Sequence, residues 1–90
     1  MDKRAEVIYC GNVQGVGFRY TARTLALDFA ITGFVKNLTD GSVQLVAEGG
    51  AAEVERFLGA VDERMGDLVG TRELRWVVPR GDLKGFAIRF

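Results

Sequence analysis

The glycine-rich segment at residues 11–19 reads Gly-Asn-Val-Gln-Gly-Val-Gly-Phe-Arg and lies between a strand-like run and a helical one. Residues 5–11 before it contain β-branched and aromatic side chains and end at a glycine, which is typical of a strand. After it, apolar residues recur at helical spacing and predict an amphipathic helix: Phe18, Ala22, Leu25, Ala26 and Phe29. The segment therefore forms a strand-loop-helix junction that begins the fold.

The remainder of the chain predicts further strands and a second helix. Residues 33–38 and 42–48 are strand-like and flank Asp40-Gly41, a pair that favours tight hairpin turns, so we expect them to pair antiparallel. A second apolar stripe follows two glycines and predicts a helix: Val54, Phe57, Leu58, Val61 and Met65. Residues 71–78 and 84–90 alternate apolar and polar side chains, as in two final strands or one bent strand.

This order of elements, β-α-β-β-α-β, predicts an α+β fold of the ferredoxin-like split βαβ type. In such a sandwich two helices cover one face of an antiparallel sheet, here of four to five strands. The length of 90 residues predicts a single domain over residues 1–90. Because this architecture is shared by enzymes, metal carriers and RNA-binding proteins, the function must be inferred from particular residues.

The composition excludes several classes of function. Lys and Arg total 12 and Asp and Glu total 12, so the net charge is zero, whereas nucleic-acid-binding proteins usually carry a basic excess. The chain has no histidine, which removes the commonest general base, the Ser-His-Asp triad and most zinc sites. We therefore expect no nucleic-acid partner, no metal and no cofactor.

The single cysteine and the first residues of the chain indicate the cellular compartment of the protein. The single cysteine, Cys10, cannot form an intrachain disulfide, which suits a reducing compartment. The first six residues are mostly charged, and no apolar run approaches the roughly 20 residues of a membrane span. The sequence thus predicts a cytoplasmic monomer with no membrane association.

The glycine-rich segment favours the binding of an anion. Glycines at a strand-helix junction allow successive N–H groups to turn inward, and the helix N-terminus adds a partial positive charge. Arg19 would add a bidentate fork for phosphate oxygens. Alternatively, Gly15 and Gly17 make only a tight turn and Arg19 is solvated. The dinucleotide-binding fingerprint is excluded because Tyr20 stands where Gly or Ala is needed, and no Walker lysine motif occurs.

Two segments together resemble the acylphosphatase family. Residues 11–19 match the family's phosphate loop at every fixed position, and residues 33–43, Gly-Phe-Val-Lys-Asn-Leu-Thr-Asp-Gly-Ser-Val, are similar to its second signature. The closing residues 85–88 are similar too, so that the resemblance covers nearly the whole chain. Cys10 and Gln44 depart from the residues that are frequent at their positions, and neither belongs to the expected site.

The resemblance implies a hydrolase that cleaves the carboxyl-phosphate bond of acyl phosphates to a carboxylate and inorganic phosphate. Arg19 would bind the phosphoryl group, and the side-chain amide of Asn37 would hold the attacking water. The phosphate site would be completed by the backbone N–H groups of six residues: Gln14, Gly15, Val16, Gly17, Phe18 and Arg19. The resemblance also implies that inorganic phosphate or sulfate would bind there as product-like ligands. A carboxylate with a pKa near ~4 leaves without protonation, so a protein without histidine can catalyse this reaction.

Other interpretations remain open at this stage. Asn37 also suits the geometry next to a hairpin turn, whatever its role. A domain of the same fold could bind phosphate or carbamoyl phosphate without turnover, although this chain keeps both Arg19 and Asn37. A more remote alternative is an RNA-binding ferredoxin-like domain, because residues 84–87 match the opening of an RNA-recognition motif; residues 88–89 break that match.

Overall fold

The first strand in the chain lies in the interior of the sheet. The computed structural model describes residues 2–90, which form five strands, two α-helices and one 3-10 turn. Their bounds in chain order are β1 Asp2–Gly11, α1 Phe18–Ala26, β2 Ile31–Asn37, β3 Val43–Gly50, α2 Ala51–Met65, the 3-10 turn Gly66–Leu68, β4 Val69–Val77 and β5 Phe86–Arg89. The strands lie in the order β4-β1-β3-β2-β5, so β1 pairs on both sides with strands that follow it much later.

The predicted α+β fold with two helices on one face of the sheet is confirmed, with one correction. The sheet is mixed, because β5 pairs parallel to β2 whereas the other neighbouring strands are antiparallel. After the β4 edge, residues 78–85 carry the chain to the opposite edge, and the last strand then runs in the direction of β2. We call residues 78–85 the crossing segment. The alternation of apolar and polar residues within a strand does not show whether that strand runs parallel or antiparallel to its neighbour.

The predicted helical stripes form the core between helices and sheet. In α2 all five apolar residues predicted to face inward are buried: Val54, Phe57, Leu58, Val61 and Met65. In α1 the buried residues are Phe18, Ala22 and Ala26, and the helix ends before Phe29. The matching side of the sheet is apolar along β1, β2 and β3: Ala5, Val7, Tyr9, Val35, Val43, Leu45 and Ala47. The N-terminus of α1, next to the glycine-rich segment, packs on this face of the sheet.

The last strands differ in extent from the sequence prediction. Val78 was expected to continue the alternation of β4, but it lies in the crossing segment and is exposed. Phe90 was expected to follow Phe86 and Ile88 into the sheet, but it lies beyond β5 with 88% of its surface exposed. Phe86 does reach the core, where its ring centroid is 5.4 Å from that of Phe57.

On the other face of the sheet, a buried ion pair holds the crossing segment. Glu48 of β3 accepts hydrogen bonds from the backbone N–H groups of Arg80 at 3.1 Å and Gly81 at 2.7 Å. Arg4 of β1 donates to Glu48 at 3.2 Å and to Asp82 at 2.9 Å. Burial raises the pKa of Glu48, but these N–H donors and the Arg4 guanidinium outweigh burial and hold it below its usual range. The chain thereby crosses the sheet at a defined place.

Candidate active site

The loop between β1 and α1, residues 12–17, has a backbone that requires glycine at two positions. We call it the glycine loop. Gly15 and Gly17 have φ angles of 74° and 80°, in the left-handed region that L side chains rarely adopt. A Cβ atom at either position would meet nothing within 4 Å, so the backbone angle and not lack of space demands glycine. Both glycines are exposed.

The amide N–H groups of residues 14–19 have no acceptors in the part of the chain that the structure describes. Within residues 2–90, none of the hydrogen bonds of loops and helix caps uses them, whereas Asn12 N–H donates to the Leu68 carbonyl at 2.9 Å. The first turn of α1 is closed by Thr21 N–H, which donates to the Gly17 carbonyl at 2.9 Å. Unpaired N–H groups at a helix N-terminus attract anions, because the helix dipole adds to their partial positive charge.

Arg19, the second residue of α1, is half-buried and stacks on an aromatic ring. The carbon at the centre of its guanidinium lies 4.8 Å from the centroid of the Phe90 ring. Among residues 2–90, no carboxylate forms a salt bridge with Arg19. Stacking uses the face of the guanidinium and leaves the N–H donors in its plane. Arg19 is therefore an uncompensated cation next to unpaired amides.

Two buried side chains anchor the glycine loop to the core. Val13 and Phe18 are each 1% exposed, and the Phe18 ring centroid lies 5.0 Å from that of Tyr9. The Tyr9 hydroxyl is buried and has no hydrogen-bond partner among residues 2–90. Burial raises its pKa to about 12, and the nearby Arg72 guanidinium offsets only part of this shift. Tyr9 thus stays neutral at ordinary pH and serves as a packing surface under the loop.

Gln14 connects the glycine loop to the hairpin between β2 and β3. Its side-chain nitrogen Nε2 donates to the Leu38 carbonyl at 2.8 Å and to the Ser42 carbonyl at 2.9 Å. The sequence predicted only the backbone N–H of Gln14 as a site group, and its side-chain contact was missed. The sequence around Gln14 does not indicate acceptors that lie 24 and 28 residues away in the chain.

Asn37, the last residue of β2, has a buried oxygen that lacks a donor. Its side-chain Oδ1 has no hydrogen-bond partner among residues 2–90. Val35, two residues earlier, lies in the core, so strand alternation places Asn37 on the helix-covered face and Lys36 on the other. Buried polar oxygens are normally hydrogen-bonded, and an orphan of this kind calls for a bound donor such as water.

A cleft lies over the glycine loop and Arg19. Its volume is about 250 Å³, and it is lined by Val13, Gly15, Gly17, Phe18, Arg19 and Tyr20. A larger depression of about 370 Å³ lies near the start of α2, but the acidic residues Asp2 and Glu48 line it and would repel an anion. Electrostatics therefore favours the smaller cleft over the larger one as a site for an anion.

The glycine loop lies next to the hairpin that follows Asn37. The glycine loop and Arg19 are consecutive, and the Gln14 bonds join this loop to the residues that follow Asn37. Within the described residues no hydrogen bond links Arg19 and Asn37 directly. The same part of the chain contains no group of three His, Cys, Asp or Glu side chains that could hold a metal ion. None of the helices in residues 2–90 has both the length and the apolar character of a membrane span.

Proteins similar in sequence and fold include several acylphosphatases. The family model described as Acylphosphatase matches residues 5–88. An acylphosphatase of Streptomyces coelicolor is 46% identical over 82 residues, which cover 88% of this chain and 87% of the relative. One of Methanospirillum hungatei is 37% identical over 86 residues, covering 96% and 92%. The crystal structure of acylphosphatase from Bacillus subtilis matches over 100% of both chains with a TM-score of 0.87 and 29% identity. The chain therefore belongs to the acylphosphatase family.

Proposed function

We propose that acyl phosphate hydrolysis by this chain is divided between the amides of residues 14–19, Arg19 and Asn37. As an acylphosphatase, the chain cleaves the carboxyl-phosphate bond of acyl phosphates and releases a carboxylate and inorganic phosphate. The observation that carries the proposed division of roles is the row of unpaired N–H groups that ends at the uncompensated Arg19. These donors match the negative charge of a phosphoryl group.

In the proposed mechanism, the amides and Arg19 bind the oxygens of the phosphoryl group. Phosphoryl transfer passes through a loose transition state in which charge spreads over those oxygens, so donors fixed in advance stabilise it. Gly15 and Gly17 hold the N–H groups in place through their left-handed backbone. The Arg19 guanidinium contributes N–H donors in its plane while Phe90 packs against its face.

Asn37 is proposed to orient the attacking water. The unpartnered Oδ1 would accept a hydrogen bond from that water and direct a lone pair of the water oxygen at phosphorus. As the new P–O bond forms, the bond from phosphorus to the acyl oxygen breaks, and its electron pair leaves with the carboxylate. The water proton passes to a phosphate oxygen. A neutral amide suits this position because a carboxylate base would be repelled by the phosphoryl charge.

A non-catalytic module that binds phosphate or carbamoyl phosphate is the second candidate. It would use the same amides and Arg19, so phosphate binding alone does not separate the two candidates. The orphan oxygen of Asn37 favours turnover, because a binding module has no need of an acceptor for water. Catalysis in wild type and its loss in an Asn37 variant are therefore the informative measurements.

We also propose that residues 1–90 act as one monomeric domain in the cytoplasm, with no nucleic-acid partner. The single cysteine and the zero net charge support this setting. Inorganic phosphate or sulfate should occupy the same site as the phosphoryl group of the substrate.

The test is hydrolysis of benzoyl phosphate by wild type, Arg19→Ala and Asn37→Ala. We expect kcat/KM to fall about 10²- to 10³-fold in each variant, because Arg19→Ala removes a preorganised donor and Asn37→Ala leaves the attacking water without its positioning acceptor. Arg23→Ala is the matched control, because Arg23 also lies on α1 and stacks on a ring, that of Tyr20 at 5.4 Å. Near-normal activity in a folded Arg19 or Asn37 variant would overturn the assignment.

A further inference from the structure

The side chain of Gln14 joins the two parts of the proposed site, the glycine loop and the hairpin that follows Asn37. Gln14 is half-buried, and its Nε2 donates both of its hydrogens, at 2.8 Å and 2.9 Å, to carbonyls of the β2–β3 hairpin. Its backbone N–H is one of the unpaired amides of the glycine loop. One residue thus takes part in the anion site through its backbone and holds the neighbouring hairpin through its side chain.

The two acceptors belong to a hairpin turn that is already closed by its own bonds. Leu38 N–H donates to the Ser42 carbonyl at 2.8 Å, and Gly41 N–H donates to the Leu38 carbonyl at 3.2 Å. Asp40 accepts from the Ser42 N–H at 2.9 Å. The turn therefore keeps its local shape without Gln14. What Gln14 adds is a fixed position of this turn relative to the glycine loop.

Asn37 immediately precedes Leu38, so the position of the turn determines the position of the Asn37 side chain. We infer that the Gln14 side chain is a positioning residue for hydrolysis, which sets the distance between the phosphoryl group and the water on Asn37. This inference rests on the proposed roles of the loop amides and Asn37. A displacement of 1 Å between reacting groups can lower a rate about 10²-fold.

Gln14→Met tests this inference, because methionine is similar in length and cannot donate. We expect kcat for benzoyl phosphate to fall about tenfold or more. The inhibition constant of inorganic phosphate should change by less than about twofold, because the backbone amides and Arg19 remain. Gln44→Met is the matched control: Gln44 lies on β3, on the face of the sheet away from the helices, and its kcat should stay at the wild-type value.

A double-mutant cycle with Asn37→Ala separates positioning from a general structural role. If Gln14 acts through Asn37, adding Gln14→Met to Asn37→Ala should lower kcat by less than about twofold further. An equal loss in both backgrounds, or an unchanged kcat in folded Gln14→Met, would overturn the inference and leave the proposed function standing. An unchanged kcat in Asn37→Ala would instead overturn the proposed function together with this inference. Gln14→Asn, which is one methylene too short, serves if Gln14→Met does not fold, with the same expectations.

Discussion

Arg4 and Arg19 occupy opposite ends of the fold and illustrate two uses of one side chain. Arg4 is 7% exposed and donates to two carboxylates, those of Glu48 and Asp82. Arg19 is half-buried, contacts the face of an aromatic ring and has no carboxylate partner within residues 2–90. The charge of Arg4 is compensated inside the protein, whereas the donors of Arg19 remain for a ligand.

The acceptor oxygens of Glu48 and Asn37 differ in the same way as the two arginines. Glu48 receives two backbone N–H groups and a guanidinium, so its carboxylate is fully engaged in holding the crossing segment. The oxygen of Asn37 is also buried but receives nothing from the described residues. Satisfied polar groups contribute to stability and unsatisfied ones are available for chemistry. The comparison therefore predicts which substitutions change stability and which change catalysis.

The largest effects should come from exchanging the two arginines for alanine. Arg4→Ala leaves the Glu48 carboxylate buried without its cation, so we expect a loss of about 3 kcal/mol in the free energy of unfolding. Arg19→Ala should change that free energy by less than about 0.5 kcal/mol while abolishing most activity. Urea unfolding and benzoyl phosphate hydrolysis measure the two effects.

The control for the stability effect is Arg75→Ala. Arg75 pairs with Glu6 at 3.1 Å, but its side chain is 70% exposed, so the loss should stay below about 1 kcal/mol. If Arg19→Ala proved as destabilising as Arg4→Ala, the distinction between a structural and a functional arginine would be wrong for this chain.

A smaller effect should come from the anion itself. Phosphate at ten times its dissociation constant should stabilise the wild type by about 1.4 kcal/mol through mass action, seen as a higher Tm. This increase should persist in Arg4→Ala, measured from its lower starting point, and disappear in Arg19→Ala. Chloride at matched ionic strength is the control. A stabilisation that survives in Arg19→Ala would place the anion elsewhere.

The smallest effect should appear in acid. Because hydrogen bonds hold the pKa of Glu48 below its usual range in the folded state, its contribution to stability is complete above the ordinary glutamate pKa. That contribution is lost as the pH falls through the lowered pKa. Glu48→Gln should therefore be less stable than wild type at pH 7, with the difference shrinking toward pH 3. Urea midpoints across this range measure it, and a constant difference would contradict the role assigned to the carboxylate.

Local patterns were sufficient to predict the helices and strands, but not the contacts between distant segments. The helical stripe that starts at Phe18 and the Asp40-Gly41 turn each depend on neighbours in sequence, and both elements form as expected. The parallel pairing of β5, the Arg4-Glu48 pair and the Gln14 bonds join residues far apart in the chain. Spacing within one segment cannot show which remote backbone or side chain its polar groups will meet.

The roles of the individual site residues illustrate the same limit. The family motifs identified the glycine loop and Asn37 by residue type. The sequence could not show that Asn37 Oδ1 is buried without a hydrogen-bond donor, because both its burial and its lack of a partner depend on the whole fold.

The interior position of β1, with a partner strand on each side, has a consequence for how the enzyme folds. Its residue nearest in sequence to a partner is Tyr9, which pairs with Val43, and Arg4 pairs with Val77 near the other end of the chain. Such distant pairings require large loops to close first, which slows folding relative to a chain with local contacts. Since the glycine loop leaves directly from β1, we expect phosphate binding to appear only when these late pairings form. Recovery of activity during refolding would then report the completion of the sheet.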